Sequence, residues 1–233
     1  MNDHGWLKLF WLNLQVKKRG AIEFCRVVKR YYHNKAFRSA DLRLRAAYFL
    51  NNAFSICKRY LTEQGAADVY TYGETPLTTL DAIVKECGIT AQDHLFDLGC
   101  ATGRTSFWLN ALIGCQVSGI EIIPHFIFEA EQAKTKEVKE ALCWKNLNFR
   151  CEDILKTSYS GATAIYLYGT CFDDAFLEKL IKQFKTLPKG AKVITVSYPL
   201  TDLESGAEIF LLEKQFTAPY TWGTANVYLQ VRK

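Results

Sequence analysis

Three carboxylates and a glycine loop carry the chemistry of this 233-residue chain. The run Asp97-Leu98-Gly99-Cys100-Ala101-Thr102-Gly103-Arg104 joins an apolar segment to an amphipathic one, and its glycines let backbone bend sharply and approach a ligand closely. Eighteen residues after Gly103, Glu121 ends the next apolar run, where an acid can accept both hydroxyls of a ribose. A third acid, Asp153, lies between Glu152 and Ile154 after another short apolar run, placed to accept a hydrogen bond from an adenine amino group. Together these residues predict a site for an adenosine-bearing ligand. Dinucleotide folds use the same plan, but their loop reads Gly-x-Gly-x-x-Gly. Here it reads Gly-x-x-x-Gly behind an acid, the pattern of S-adenosylmethionine (SAM) sites. A glycine turn without a ligand would leave Asp97, Glu121 and Asp153 at the ends of three strands to no purpose.

The elements that must position these residues follow from periodicity. Strands are predicted at 94–98, 116–121, 147–151, 163–168 and 192–198, with helices at 76–87, 104–113, 124–142 and 173–187 between them. Thr75 reads as an N-cap and Pro76 as the first helical position. This alternation implies an α/β fold with a parallel sheet covered by helices on both faces, where ligands bind outside the carboxyl ends of the strands. Two closing strands, 209–216 and 226–232, are expected to be antiparallel to each other.

In front of this lies a different kind of sequence. Residues 1–60 hold thirteen Lys/Arg against three Asp/Glu, so the net charge of +5 conceals a basic front and a mildly acidic remainder. An apolar stretch at 5–16 (Trp6, Leu7, Leu9, Phe10, Trp11, Leu12, Leu14) is followed by Lys17, Lys18 and Arg19; it is too short to span a bilayer and has the reverse of a secretory signal's layout. Packing against the main domain or a second subunit is the expectation, a membrane interface the alternative. Helices are predicted at 20–33 and 39–63, the latter capped by Ser39 and burying Leu42, Ala46, Phe49, Leu50, Ala53, Phe54, Cys57 and Leu61 on one face. The boundaries that result are a basic N-terminal helical segment at 1–64 and a catalytic domain at 65–233. The basic block suits an acidic partner or an acidic membrane surface, with a solvated helical face as the plain alternative. Eight scattered cysteines without a Cys-x-x-Cys pair, and four dispersed histidines, imply reduced thiols, a cytoplasmic location and no metal.

Tyr72-Gly73-Glu74-Thr75, followed by Asp97-Leu98-Gly99, resembles the disruptor-of-telomeric-silencing family of non-SET histone lysine methyltransferases. The likeness covers residues 68–233. Gly119-Ile120-Glu121 is similar to that family's Gly-Val-Glu strand end, Asp153 to its adenine-binding Asp, and Tyr198-Pro199-Leu200 to its Lys-Pro-Phe turn. Tyr220-Thr221-Trp222-Gly223 with Tyr228-Leu229 resembles its closing segment. The resemblance implies a Rossmann-like class I methyltransferase fold with a seven-stranded, mostly parallel sheet whose last strand is antiparallel. It also implies a SAM-dependent methyltransferase acting on a protein lysine. Tyr72, Glu74, Thr75, Asp97, Gly99, Cys100, Ala101, Gly103, Arg104, Glu121, Asp153, Ile154 and Tyr168 would then bind the cofactor, with Glu74 facing its ammonium and Arg104 its carboxylate. A lysine must be neutral to attack, which an apolar aromatic channel favours; Tyr168, Phe172, Tyr198 and Trp222 are the candidates to line it.

Two departures bear on the acceptor. Where the family has Asn-Asn-Phe-Ala-Phe, this chain has Tyr168-Gly169-Thr170-Cys171-Phe172, and Ala101 replaces the loop's middle glycine. The family's basic nucleosome-binding tail follows its catalytic domain, whereas here the basic block precedes it. Methylation of RNA or of a small molecule, and a SAM-binding scaffold in which Tyr168 blocks transfer, are therefore carried as alternatives.

Overall fold

A computed structural model describes residues 3–66, 68–69, 71–135 and 144–233. Its centre is a seven-stranded sheet in the order β3-β2-β1-β4-β5-β7-β6. The strands are β1 (His94–Leu98), β2 (Gln116–Glu121), β3 (Leu147–Cys151), β4 (Ala164–Leu167), β5 (Lys192–Val196), β6 (Phe210–Pro219) and β7 (Thr224–Arg232). The first five pair in parallel, and β7 is antiparallel to both β5 and β6. Buried on both faces, β4 reads as an unbroken apolar run and β5 as a nearly continuous one after Lys192, with the buried Thr195 within it. The chain leaves β1 toward β2 and β3, then returns to β4 on β1's other side. That reversal opens a crevice at the carboxyl ends of β1 and β4.

Helices α4 (Leu77–Glu86), α5 (Arg104–Trp108) and α6 (Pro124–Thr135) cover one face, where Leu80, Ile83, Phe107, Trp108 and Ala130 join the larger core. α5 runs on into a π turn over Leu109–Ile113, ending at Gly114 with a positive φ, and Asn110 donates from there to the Cys115 carbonyl at 2.9 Å. On the other face α7 (Asp174–Phe184), capped by the Asp173 carboxylate, buries Leu177, Leu180, Ile181 and Phe184. A 3-10 turn (Leu200–Asp202) and α8 (Glu204–Ile209) complete that layer. The part of the predicted 124–142 helix beyond 135 lies outside the described residues.

The basic front folds as α1 (Asp3–Tyr31), α2 (Lys35–Ala47) and α3 (Ala53–Glu63), which corrects several expectations. The predicted helix 39–63 is interrupted at 48–52. Asn34 and Asn52, rather than Ser39, are the caps, their side chains accepting from the Phe37 and Ser55 amides at 3.0 and 2.9 Å. Phe49 and Leu50 fall in the break and are 83% and 93% exposed, so the buried face of α2 is Phe37, Ala40, Asp41 and Leu44. Thr75 is not a cap either: Pro76 holds that place, and the Thr75 hydroxyl pairs with that of Tyr166 at 2.6 Å. Among the described side chains of α1 only Glu23, Val27 and Tyr31, four residues apart on one stripe, are buried, whereas Phe10, Trp11, Leu12 and Leu14 are all about half exposed; Trp6, Leu7 and Leu9 lie outside the described side chains. Those four residues are thus not part of the buried core, and the buried contacts described for α1 fall in its C-terminal half. Among the described residues no helix is long and apolar enough to cross a membrane, and no cluster of three His, Cys, Asp or Glu could hold a metal ion.

Candidate functional site

The glycine loop follows β1 and turns back on itself. Gly99, Ala101 and Gly103 all have positive φ, of 70°, 47° and 77°. For Ala101 this conformation costs on the order of 1–2 kcal/mol. Its amide offsets part of that cost by donating to Glu121 Oε2 at 3.0 Å. Two glycines are explained by one ring: a Cβ on Gly103 or on Gly119 of β2 would stand 2.7 Å from Phe149 of β3. Gly99 is different, with nothing within 4 Å of the position a Cβ would take, so its face is open. Asp97 ties strand to helix, its Oδ2 accepting from the Thr105 and Ser106 hydroxyls at 2.6 and 2.7 Å. Burial still drives its carboxyl above the ordinary aspartate value against the pull of those hydroxyls.

Glu121, at the end of β2, is clamped between two loops. Oε2 takes the Ala101 amide and Oε1 the Ile123 amide at 2.9 Å. Burial raises its pKa, and these N–H groups oppose the rise. The two oxygens keep capacity to accept further hydrogen bonds, and the carboxylate borders a cavity of about 220 Å³. Asp153 stands on the same wall, one oxygen accepting from the Leu155 amide at 2.8 Å, with Ile154 beside it, held through its carbonyl by the Tyr159 hydroxyl at 2.6 Å. Phe172 and Phe176, stacked with centroids 4.2 Å apart, close the cavity opposite.

At its other end the cavity narrows past Gly99, Ala101 and Tyr168 into a cleft of about 30 Å³ bordered by Glu74, Thr102 and Arg104. Tyr72 and Thr102 both donate to Glu74 Oε1, the latter at 3.4 Å, fixing the carboxylate over the cleft. Arg104 donates through Nε to Asp41 of α2 at 2.5 Å. Tyr168, Tyr220 and Trp222 form a stack with centroids 5.4 and 5.5 Å apart, and the Trp222 indole N–H donates to the Tyr168 hydroxyl at 3.0 Å.

The structure thus gathers Tyr72, Glu74, Thr75, Asp97, Gly99, Cys100, Ala101, Arg104, Glu121, Asp153, Ile154, Tyr168 and Phe172 around one continuous space. Gly103 is not at that surface and serves the Phe149 contact instead. Tyr198 does not line the cavity: its ring packs into the second core and its hydroxyl binds the Gly169 carbonyl at 3.0 Å. Trp222 is 51% exposed and reaches the site only through Tyr168. Sequence reasoning missed Thr102, Thr105 and Ser106, whose hydroxyls follow the loop directly, and it missed Asp41. The signal for Asp41 was available, since it is the one acid in the otherwise basic α2.

Residues 53–205 match the family model described as Histone methylation protein DOT1. Over 136 residues, 54% of this chain, the sequence is 27% identical to the Dictyostelium discoideum protein named Histone-lysine N-methyltransferase, H3 lysine-79 specific. That stretch is 7% of the relative's length. Among solved structures, the Salinibacter ruber RNA methyltransferase in complex with S-adenosyl-L-homocysteine superposes with a TM-score of 0.54 at 22% identity, over 69% of this chain and 94% of that one. Magnesium protoporphyrin IX methyltransferase from Synechocystis PCC 6803, with bound SAM, gives 0.55 at 18% identity, over 78% and 98%. At such identities these two likenesses speak for the fold: a Rossmann-like α/β sheet with its last strand antiparallel.

Proposed function

This chain belongs to the DOT1 family of histone methylation proteins, and from that footing we propose that it is a SAM-dependent methyltransferase whose acceptor is a lysine of a protein. The observation that carries the proposal is the polarity of the cavity. One end offers Glu121 and Asp153 for a ribose and an adenine amino group; the other sets the Glu74 carboxylate beside the Arg104 guanidinium, a match for an amino-acid zwitterion.

The residues fit the cofactor. Glu121 retains free lone pairs and Asp153 one unengaged oxygen, so both can accept from the nucleoside without giving up their backbone partners. Ile154 and Phe172 supply apolar walls at the same end. SAM brings a methyl group on a sulfonium, ready for in-line displacement, so the protein's task is to desolvate and align the acceptor. Tyr168 provides the wall between the two ends, steadied by Trp222 and Tyr220. Burial raises its pKa against the Trp222 hydrogen bond, so the wall stays a neutral phenol and an entering ammonium finds no counter-charge there. Loss of a proton from lysine is favoured in such surroundings.

Tyr168 in place of the family's Asn also supports a second reading, a SAM-binding protein that does not transfer. Calorimetric titration of SAM, S-adenosyl-L-homocysteine and NAD, followed by transfer of a labelled methyl group to lysate split into protein, RNA and small-molecule fractions, tests both. SAM binding with label in protein lysine supports the proposal. Label in RNA or small molecules replaces the acceptor, binding without label favours the second reading, and no SAM binding overturns the whole assignment.

A further inference from the structure

The basic helical front contributes to the cleft through one buried acid. Asp41 of α2 is fully buried, yet it carries three partners: Tyr32 donates to Oδ2 at 2.6 Å, Arg45 Nε to Oδ2 at 3.0 Å, and Arg104 Nε to Oδ1 at 2.5 Å. Burial disfavours its charge, but Arg104 first, then Arg45 and Tyr32, hold the carboxyl below the ordinary aspartate value. Two guanidinium groups thus meet this one buried carboxylate, and the Glu74 carboxylate lies near Arg104 on the cleft side.

One donor of this cluster stays unmet. Arg104 Nη2 is shut off from solvent and has no hydrogen-bond partner in the protein. Leaving such a buried donor unmet is costly, and more so for a charged group. Arg104 borders the narrow cleft together with Glu74, Gly99, Ala101 and Thr102. It also borders an outer groove with Arg45 and Tyr48, of which the cleft is the smaller and more enclosed neighbour. An anion lodged in the cleft would supply the partner that Nη2 lacks.

We propose that Asp41 is a positioning residue of the cofactor site: by holding Arg104 through Nε, it presents Nη2 to the carboxylate of the cofactor's amino-acid end. This rests on the reading of the cavity as a SAM site. It makes α2 a working part of that site, although the family match begins at residue 53, beyond Asp41.

The test is calorimetry on the full chain with three ligands: SAM, S-adenosyl-L-homocysteine and decarboxylated SAM, which keeps the ammonium and the nucleoside and lacks only the carboxylate. Arg104→Gln should weaken SAM and S-adenosyl-L-homocysteine at least tenfold and leave decarboxylated SAM within twofold. Asp41→Asn should show the same selectivity with a smaller loss, and Arg45→Gln, which keeps the Asp41–Arg104 bond, should show little change. An equal loss for all three ligands, or no loss in a folded Arg104→Gln protein, overturns the inference while leaving the SAM reading intact. Should Asp41→Asn fail to fold, Asp41→Glu, which keeps the charge and moves it by one methylene, must show the selective loss; a parental profile there overturns the positioning role. Failure of the unaltered chain to bind any of the three ligands removes the SAM reading and this inference with it.

Discussion

Glu121→Gln separates the charge at the end of β2 from its shape. Each oxygen of Glu121 accepts one backbone N–H, from Ala101 at 3.0 Å and Ile123 at 2.9 Å. A carboxamide keeps one of these and must turn its own NH₂ toward the other, losing a hydrogen bond to a charged group worth about 1.5–3 kcal/mol. Opposing that loss, burial raises the Glu121 pKa, so the folded chain carries its charge at a cost that glutamine removes. The two effects act against each other, and the variant should fold with a modest fall in Tm. Binding has no such compensation. A ribose hydroxyl that gives up a charged acceptor loses about 1.5–3 kcal/mol, which corresponds to roughly 10- to 150-fold in Kd. Calorimetry with S-adenosyl-L-homocysteine reads this directly, and its 2′-deoxy analogue, which has less to lose, should be weakened less. A folded variant that binds S-adenosyl-L-homocysteine within twofold of the parent would refute the assignment of Glu121 to the ribose.

Gly119→Ala should cost about 1–3 kcal/mol in denaturant melts, as overpacking does, because its Cβ would meet Phe149 at 2.7 Å and Cys100 Sγ at 3.0 Å; Phe149→Leu in the same chain should recover part of it. Trp222→Phe removes the indole N–H that holds Tyr168 and should leave SAM affinity within twofold while lowering the methyl-transfer rate severalfold in single-turnover assays; a parental rate would free Trp222 of any role in the wall. The pKa values of Asp97 and Glu121 are both raised by burial, so the folded state binds more protons than the unfolded one between the ordinary and raised values, and stability falls as pH rises through that window. Thermal melts of the ligand-free chain should therefore rise as pH drops from neutral toward the ordinary glutamate value of 4.5, and Glu121→Gln should flatten that rise. Asp41, with its lowered pKa, works in the opposite sense and loses its contribution only below the ordinary aspartate value of 3.8.

How much could be read in advance depended on whether the signal was local. β1 and β2 were legible to the residue because strands buried in a parallel sheet are short, largely apolar segments bounded by turns, and the edge strand β3 because Leu147 and Phe149 alternate with Asn148 and Arg150; Asp97 and Glu121 stand at the ends of the first two and Asp153 just past the third. The break at 48–52 was hidden: Phe49 and Leu50 continue the helical period, and the Asn52 cap prevails over it. The helix α8 was missed for the opposite reason. Gly206 looks like a breaker, but a Cβ there would collide with the Leu200 carbonyl, so glycine is what lets α8 pack against the preceding turn. The partnership of Asp41 with Arg104 spans 63 residues and has no local trace beyond an acid among bases. Tyr198 showed the reverse failure, an aromatic in a suggestive place that the fold uses as a brace.

The π turn over Leu109–Ile113 behaves like a spare link in the chain. Its ring of backbone bonds holds one residue more than an ordinary helical turn, and the flanking segments, Arg104–Trp108 and β2, are anchored independently. Shortening the chain by one residue there would let the turn relax to regular helix, with Arg104 and Glu121 still in place. The same deletion among Gly99, Ala101 and Gly103 has nowhere to be absorbed. Within about fifteen residues, this protein has one stretch whose length is negotiable and one whose length is fixed by its loop geometry.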